Sequence, residues 1–192
     1  MLNIEEALIQ EILGGDMNSF ERLVYLYKDK IYCFIYKMTS SKEDTEDVVQ
    51  ETFIRVFNNL YKYNSNWKFS TWIYRIAVNV LKNYWKKKKG IYTKELCQDT
   101  LKEIDYDTLN NPEDKYLVKE FYMEIISILH QLDYNQKVVF FLRYIKDFSI
   151  EEISTIVGVS PGAVRTRIHR TRKKICDQFK NLKEGVFYDV LL

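Results

Sequence analysis

Between residues 41 and 89 the chain repeats its apolar side chains at the three- and four-residue spacing of an amphipathic α-helix, and this periodicity limits the fold most strongly. In the first half the repeat consists of Val48, Val49, Thr52, Phe53, Val56, Phe57 and Leu60. Ser41 stands where a helix cap is expected, and Asp44 follows at the acid position of a capping box. In the second half Ser70 is the expected cap, and the inward stripe is Trp72, Ile76, Val80 and Tyr84. The stretch therefore predicts two helices joined by a loop.

The predicted outer faces of these two helices carry opposite charges. On the first helix, spacings of three, four and seven residues align Asp44, Asp47, Glu51 and Asn58 along one side. On the second helix, the outward side chains are Arg75, Asn79, Lys82, Asn83 and Lys86, before a run of lysines that ends at Lys89. Aromatic residues crowd the loop between the helices: Tyr61, Tyr63, Trp67 and Phe69. The pattern indicates two partners, one cationic or polar and the other polyanionic.

The residues before this stretch predict two further helices. Residues 3–13 carry an apolar side that ends at Gly14 and Gly15, and residues 20–38 keep the helical period after a cap at Asp16 or Ser19. Packed together, the four helices make an all-helical domain, which we assign to residues 1–90. Only 6 of the 192 residues are glycine and 2 are proline, which favours a mostly helical chain with few tight turns.

Residues 91–111 have no clear apolar period and mix acidic, basic and polar side chains, so we expect a flexible linker there. The linker acids are expected to keep the segment solvated. The alternative is that they imitate nucleic acid and run through a basic channel.

A second helical domain is predicted at residues 112–178, followed by a tail at residues 179–192. Pro112 at a first helical position begins one helix, and Asp133 caps the next. The inward side chains of that next helix are Val138, Val139, Leu142 and Ile145. Ser149, the Gly158 turn and the cap at Ser160 then predict a helix–turn–helix. The predicted fold class is therefore all-α, with two small helical domains joined by a flexible linker, the second a helix–turn–helix DNA-binding domain.

The last predicted helix combines an apolar side with a strongly basic one. Its apolar side is formed by Val164, Ile168 and Ile175. Its exposed side chains form two rows: Arg165, His169 and Arg172, and Arg167, Arg170 and Lys174. A helix with a positive N-terminus and several guanidinium groups fits the major groove of DNA, where arginine binds a guanine edge or a phosphate. The alternative is an exposed amphipathic helix that enters no groove.

Several other classes of protein are disfavoured by the sequence. Cys33, Cys97 and Cys176 are far apart, no CxxC is present and there are only two histidines, so neither a zinc site nor a disulfide framework is expected. No metal and no cofactor are predicted. The start lacks the features of a secretion signal, and no apolar run approaches the ~20 residues that span a bilayer. We therefore expect a cytoplasmic protein with no membrane insertion of its own.

Three motifs of the sequence resemble those of a known family. The segment 44–53, Asp-Thr-Glu-Asp-Val-Val-Gln-Glu-Thr-Phe, resembles a signature of bacterial sigma factors of the sigma-70 superfamily. The segment 69–79 is similar to their promoter-melting segment, and the segments 149–153 and 158–170 are similar to their C-terminal helix–turn–helix. The motifs occur in the family's order and cover nearly the whole chain. With two domains and no other module, the chain resembles the extracytoplasmic-function (ECF) subfamily.

The resemblance implies a function and a set of binding residues. Such proteins bind core RNA polymerase through the coiled coil of the β′ clamp and the β flap, direct it to promoter DNA and help to open the duplex. The residues expected to bind core polymerase are Asp44, Asp47, Gln50 and Glu51. Those expected at the −10 element and in melting are Tyr63, Trp67, Phe69, Arg75, Asn79, Lys82, Asn83, Lys86 and Lys87. Those expected at the −35 element are Ser160, Pro161, Gly162, Arg165, Arg167, His169 and Arg170.

The sequence departs from the family pattern at three places. Leu132-Asp133 lacks the usual Leu-Pro, Lys137 stands where arginine is common, and Ala163 replaces a common threonine. An anti-sigma factor is a further partner that the resemblance allows. As a binding factor, the chain is expected to have no catalytic residue and not to be an enzyme.

Two alternatives to a sigma factor remain from the sequence. The first is a stand-alone helix–turn–helix regulator, which would bind duplex DNA tightly by itself. The second is a metal-dependent nuclease that uses Asp44, Glu46, Asp47 and Glu51 as ligands, because carboxylates suit Mg²⁺. Glu46, however, points away from the other three, and no candidate base accompanies them in this motif.

Overall fold

The computed structural model describes residues 4–88, 128 and 131–180, and all regular secondary structure in this part of the chain is helical. The helices are α1 (Ile4–Leu13), α2 (Met17–Thr39), α3 (Lys42–Asn59), α4 (Phe69–Lys88), α5 (Tyr134–Tyr144), α6 (Ile150–Val157) and α7 (Pro161–Lys180). A short 3₁₀ turn, Leu60–Lys62, follows α3. The prediction of an all-α fold is confirmed. The predicted linker at 91–111, the helix start at Pro112 and most of the final tail lie outside the described residues.

The chain divides into two compact units, one containing residues 1–100 with 151–159, and the other containing residues 101–150 with 160–192. In the first unit α2 packs against α1, α3 and α4, and α3 also packs against α4. In the second unit α5 packs against α7. The domain boundaries given above remain predictions.

Local sequence signals set the helix ends in α1–α3. Gly15, with a φ of 100°, ends α1, because this left-handed conformation suits glycine. The Asp16 side chain caps α2 by accepting a hydrogen bond from the backbone N–H of Asn18 at 3.0 Å. The Ser41 hydroxyl caps α3 by accepting from the backbone N–H of Asp44 at 3.3 Å. Of the two caps considered for α2, the structure uses Asp16.

The inward stripe predicted for α3 is only partly right. Thr45, Val48, Thr52 and Val56 are buried at intervals of three or four residues, and the predicted stripe missed Thr45. Phe57 is 39% exposed, although its ring contacts that of Phe20 edge-on at 4.9 Å between centroids. The helix keeps a narrower apolar stripe than the sequence suggested.

The inward stripe predicted for α4 is only partly right, because Val80 is buried as predicted but most of the other buried side chains lie outside the predicted stripe. The buried side chains are Phe69, Thr71, Ile73, Tyr74, Ala77, Val78, Val80 and Leu81, whereas Trp72, Ile76 and Tyr84 are only partly buried. Ser70 does not cap α4, because the helix already begins at Phe69. The stripe through Phe69, Ile73 and Ala77 has the same spacing as the predicted one, so spacing alone could not choose between them.

The helices of the helix–turn–helix region follow the predicted signals closely. The Asp133 side chain accepts from the backbone N–H of Gln136 at 2.9 Å, and the Gln136 side chain accepts from that of Asp133 at 3.3 Å, which completes a capping box. Ile145, predicted inward, is 55% exposed because α5 ends one residue earlier. Gly158 makes the turn after α6 with a φ of 71°. The Ser160 hydroxyl then accepts from the backbone N–H of Ala163 at 3.3 Å and caps α7.

Candidate functional site

The outer side of α3 presents part of the predicted acidic face. Asp47 and Gln50 are exposed, and the Glu51 side chain is 45% exposed. The Glu51 carboxylate accepts a hydrogen bond from Nε of Arg55 at 2.7 Å, one helical turn later. These three side chains share one side of the helix and are open to a polar or cationic partner.

Asp44 differs from the other members of that predicted face. Its carboxylate accepts a hydrogen bond from the Nζ of Lys88, in the last turn of α4, and its side chain is 19% exposed. Burial alone would raise the pKa of Asp44, but hydrogen bonds from Lys88, Tyr84 and Ser41 outweigh it and hold the pKa below its ordinary value. Asp44 therefore joins α3 to α4 within the protein.

The loop before α4 rests on a cluster of aromatic rings. Phe69 contacts the rings of Tyr27, Tyr63 and Trp72, with centroids 5.2, 5.4 and 5.6 Å away. The Tyr63 hydroxyl donates to the backbone carbonyl of Trp67 at 2.8 Å, which closes the loop. Trp67 itself is 44% exposed. The loop thus presents an indole ring over a packed aromatic base.

One residue of the predicted melting set is not accessible. Phe69 is 1% exposed, so no base can stack on its ring, and its expected role in binding DNA is corrected to one of supporting the loop. The amphipathic pattern could not reveal this, because Trp67 and Phe69 flank the start of a helix and either ring could have been the buried one.

The outer side of α4 is basic and polar along its whole length. The side chains on this side are all exposed: Arg75, Asn79, Lys82, Asn83, Lys86 and Lys87. At the last turn of α4, Lys88 donates a hydrogen bond from its Nζ to the carboxylate of Asp44. Positive charge in a row over about three and a half helical turns suits the phosphates of a nucleic-acid strand.

The start and one side of α7 form a second basic surface. Ser160, Pro161 and Gly162 are exposed at its first turn, and a Cβ placed on Gly162 would meet no atom within 4 Å. Along the helix Arg165, His169 and Arg170 are exposed, and Arg167 is half-buried. The opposite side is anchored by Val164, Thr171 and Ile175, which are buried, so Thr171 is a core residue that the sequence pattern missed.

The carboxylates of α3 do not form a metal centre. No group of three or more His, Cys, Asp or Glu side chains that could hold a metal ion occurs within the described ranges. Asp44 is bonded to Lys88 and Glu51 to Arg55, while Glu46 lies near Lys42, with Nζ and Oε1 3.9 Å apart. The arrangement therefore gives the nuclease alternative no support.

The helices of the described ranges were also compared with the length and apolar character of a transmembrane span, and none of them reaches both.

Both parts of the chain match known protein families. Residues 23–91 match sigma-70 region 2, and residues 122–175 match sigma-70 region 4. The first match contains the acidic face of α3, the aromatic loop and the basic side of α4. The second contains the helix–turn–helix.

Curated relatives and solved structures extend over nearly the whole chain. The chain is 35% identical over 182 residues to the ECF RNA polymerase sigma factor SigW of Bacillus subtilis, covering 91% of this chain and 96% of that protein. It is 30% identical over 183 residues to the ECF RNA polymerase sigma-E factor of Haemophilus influenzae, covering 93% and 96% of the two chains.

Two solved structures have the same fold. The structure of CnrH in complex with the cytosolic domain of CnrY has a TM-score of 0.68 at 20% identity and covers 94% of this chain and 100% of that one. The sigma factor RpoE of Bartonella quintana, in complex with the anti-sigma factor NepR, has a TM-score of 0.65 at 18% identity, covering 85% and 98%. Because the curated relatives at 35% and 30% identity align over more than nine-tenths of both chains, the chain belongs to the ECF branch of the sigma-70 family of RNA polymerase sigma factors.

Proposed function

We propose that this chain directs core RNA polymerase to specific promoters and helps to melt the DNA there, and that it does so by binding alone, without catalysis of its own. The observation that carries the proposal is the presence of region 2 and region 4 in one chain that aligns with ECF sigma factors over 96% of their length. Because polymerase and chromosome meet in the bacterial cytoplasm, we propose that the protein acts there.

The proposed docking site for the β′ coiled coil of core polymerase is the exposed part of the α3 face: Asp47, Gln50 and Glu51. Its open carboxylates and amide suit a partner that is basic or rich in donors. Asp44 is left out of this proposal, since its carboxylate is bonded to Lys88 inside the protein. The β flap is the proposed partner of the region 4 helices.

The proposed melting site is the loop at residues 61–68 together with the outer side of α4. Separating neighbouring base pairs costs on the order of 1–2 kcal/mol of stacking per step. A base that stacks on an exposed aromatic ring such as Trp67 recovers about 1–3 kcal/mol. The basic row that begins at Arg75 then binds the backbone of the displaced strand. These contacts offset the free-energy cost of separating the base pairs at the −10 element.

The proposed −35 site is the first two turns of α7. The positive end of the helix dipole and the exposed Ser160 region favour a phosphate, while Arg165 and its neighbours reach toward base edges. Because region 4 and region 2 bind different DNA elements, specificity depends on both sites being occupied at once. We further propose an anti-sigma factor as a regulating partner, as in the structurally similar complex of RpoE with the anti-sigma factor NepR.

Run-off transcription tests the proposal. Core polymerase is incubated with a genomic fragment library, with and without this chain, and transcript ends are mapped. We expect defined start sites that share a −10 and a −35 sequence only when the chain is present. If the chain were instead a stand-alone helix–turn–helix regulator, the isolated chain would bind duplex DNA tightly and no new start sites would appear.

The docking face is tested by charge reversal with a matched control. Asp47→Lys combined with Glu51→Lys is expected to weaken binding to core polymerase at least tenfold, because opposite charges at an interface become like charges. Glu46→Lys changes an exposed acid of the same helix on a neighbouring side and should leave the affinity unchanged. Equal losses in both variants would mean that general charge, and not this face, governs docking.

A further inference from the structure

Tyr63 connects the loop at residues 61–68 to the packed part of the bundle. Its backbone N–H donates to the carbonyl of Leu60 at 2.9 Å, which fixes the residue at the end of the 3₁₀ turn. Its ring contacts those of Phe69 and Trp72 on α4, with centroids 5.4 and 5.6 Å away. Leu60 is 2% exposed and Phe69 is 1% exposed. The position of the Tyr63 hydroxyl is therefore set by residues of the core.

This hydroxyl holds the residue whose ring is proposed to stack on a base. It donates a hydrogen bond to the backbone carbonyl of Trp67 at 2.8 Å. Two further hydrogen bonds close the same loop. The Asn64 carbonyl accepts from the backbone N–H of Trp67 at 3.4 Å, and the Asn64 side chain accepts from that of Asn66 at 2.9 Å. Of these three bonds, the one from Tyr63 starts at a ring that packs on α4, so it connects the Trp67 backbone to the core.

The exposure of Trp67 makes its backbone important for where the indole lies. The Trp67 side chain is 44% exposed, whereas that of Phe69, two residues later, is buried. If the loop were not held, it would have to be ordered at the moment when a base stacks on the indole. That ordering would cost part of the free energy that stacking provides. A loop that already has the binding conformation avoids this cost.

We propose that Tyr63 is a positioning residue for promoter melting, whose hydroxyl holds the Trp67 backbone so that the indole is ready to receive the displaced base. This assignment rests on the function proposed above, because it needs Trp67 to be the stacking platform. It also gives Tyr63 a different role from direct contact with DNA. The ring of Tyr63 is half-buried against Phe69 and Trp72, and its hydroxyl is bonded within the loop.

The Tyr63 hydroxyl keeps the proton that this hydrogen bond requires. Burial raises the pKa of the hydroxyl above its ordinary value of about 10, and the charges of Glu6 and Glu5 on α1 raise it further. The hydroxyl therefore remains a donor throughout the neutral pH range in which polymerase binding is measured.

Tyr27 provides a matched control in the same aromatic cluster. Its ring also contacts Phe69 edge-on, with centroids 5.2 Å apart, and its hydroxyl also donates a hydrogen bond, to the carboxylate of Glu5. That bond joins α2 to α1 and does not involve the loop. Because Tyr27 is 3% exposed and Tyr63 is half-buried, we expect Tyr27→Phe to cost at least as much stability as Tyr63→Phe. A loss of binding confined to Tyr63→Phe is then not an effect of stability.

The experiment measures binding of the holoenzyme, made from core polymerase and the full chain, to forked promoter probes. The probes take their sequence from a start site found by run-off transcription and have a single-stranded non-template −10 segment. In a series of probes, one −10 nucleotide at a time is replaced by an abasic site. The position at which the wild type loses affinity and Trp67→Ala does not identifies the stacked base. Dissociation constants are then measured for Tyr63→Phe, for Tyr27→Phe and for Tyr63→Phe combined with Trp67→Ala.

We expect Tyr63→Phe to weaken binding to the intact forked probe about three- to tenfold, within the range that one net hydrogen bond supplies. This loss should vanish on the probe that lacks the stacked base and in the Trp67→Ala background, because the hydroxyl acts only through the indole. Tyr27→Phe should bind every probe like the wild type. A direct contact between Tyr63 and DNA would instead give the same loss with and without the Trp67 ring.

The outcomes separate this assignment from the function on which it rests. An unchanged affinity of Tyr63→Phe, beside a weakened Trp67→Ala, would overturn the positioning role alone. Losses of Tyr63→Phe and Trp67→Ala that simply add would also overturn it, as would a loss in Tyr27→Phe as large as that in Tyr63→Phe. If the wild-type holoenzyme bound no forked probe, or if Trp67→Ala bound all of them like the wild type, the proposed melting site would fail and the positioning role with it.

Discussion

The ion pair between Asp44 and Lys88 is expected to stabilise the packing of α3 against α4. The pair joins the first turn of α3 to the last turn of α4, and the two side chains are only 19% and 31% exposed. Asp44→Asn and Lys88→Met each remove one partner and leave the other charge partly desolvated. We expect both variants to fold but to unfold more easily than the wild type.

The magnitude follows from the burial of the pair. Exposed ion pairs contribute about 0.2–1 kcal/mol, and removing one partner of a fully buried pair costs about 3–5 kcal/mol. An intermediate pair that also has a tyrosine and a serine hydrogen bond should therefore contribute about 1–2 kcal/mol. At the urea dependence typical of small domains, this lowers the midpoint of unfolding by roughly 0.5–1.5 M.

The assay is urea unfolding followed by tryptophan fluorescence. All three tryptophans of the chain, Trp67, Trp72 and Trp85, lie in the loop and α4, so the signal reports on this part of the protein. A double-mutant cycle with the combined variant isolates the coupling energy of the pair. The control cycle uses Lys42 and Glu46, whose side chains are 79% and 59% exposed, and should give a coupling below about 0.5 kcal/mol.

The pH dependence of the same variants has a defined sign. The pKa of Asp44 is lower in the folded protein than in the unfolded chain, because the hydrogen bonds from Lys88, Tyr84 and Ser41 outweigh burial. The stabilisation is therefore fully present above the unfolded pKa of about 3.9 and is lost as the pH falls through the folded pKa. The difference between wild type and Asp44→Asn should be constant near neutral pH and shrink below about pH 4.

One result would refute this reasoning about Asp44. If Asp44→Asn left the urea midpoint unchanged and instead weakened binding to core polymerase as strongly as reversal of Asp47 and Glu51, then Asp44 would belong to the docking face. The sequence alone placed it there.

Four further predictions concern the loop and the helix–turn–helix. Trp67→Ala should reduce transcription from a duplex promoter by about 1–3 kcal/mol in transition-state terms, leave a premelted template less affected and hardly change stability, as measured by run-off assay and urea unfolding. Phe69→Ala should instead destabilise the fold by about 3–5 kcal/mol, because its ring is fully buried, and the urea midpoint checks this. Arg165→Ala should lower promoter use by about 1–3 kcal/mol if the side chain reads a base, whereas equal losses on every −35 sequence would indicate a phosphate contact. Gly158→Ala should destabilise the helix–turn–helix by about 1–2 kcal/mol, since φ at this turn is 71°, and amide hydrogen exchange in α7 measures the loss.

The parts of the fold that sequence could predict are those fixed by short-range chemistry. Ser41, Asp133 and Ser160 cap their helices where expected, because a side-chain oxygen before an apolar run satisfies backbone N–H groups that the helix leaves unpaired. Gly158 makes its turn for an equally local reason. These signals act within four residues and need no knowledge of the rest of the chain.

Which apolar residues face the core could not be predicted as well, since that depends on neighbouring helices. The α4 stripe predicted through Trp72 and Ile76 and the observed stripe through Phe69 and Ile73 have the same period. The observed stripe places Phe69 against the ring of Tyr27 on α2, a contact with another helix that the period of α4 alone does not reveal. For the same reason the sequence could not show that Phe69 is unavailable to DNA.

The placement of charge on α3 and α4 explains how one small bundle can present opposite charges without cancelling them. The helices pack through buried residues such as Val48, Val56 and Ile73, and this directs their charged sides away from the contact between them. Two other ion pairs of α3 lie within the helix itself, Lys42 with Glu46 and Glu51 with Arg55. Among the described residues of these two helices, the ion pair that crosses between them joins Asp44 to Lys88, at the end of α4 that is distant from the loop. The bundle therefore keeps its acidic side open for the proposed docking on core polymerase and its basic side open for the proposed binding of DNA, because the ion pair between the helices uses one charge from each face and leaves the others exposed.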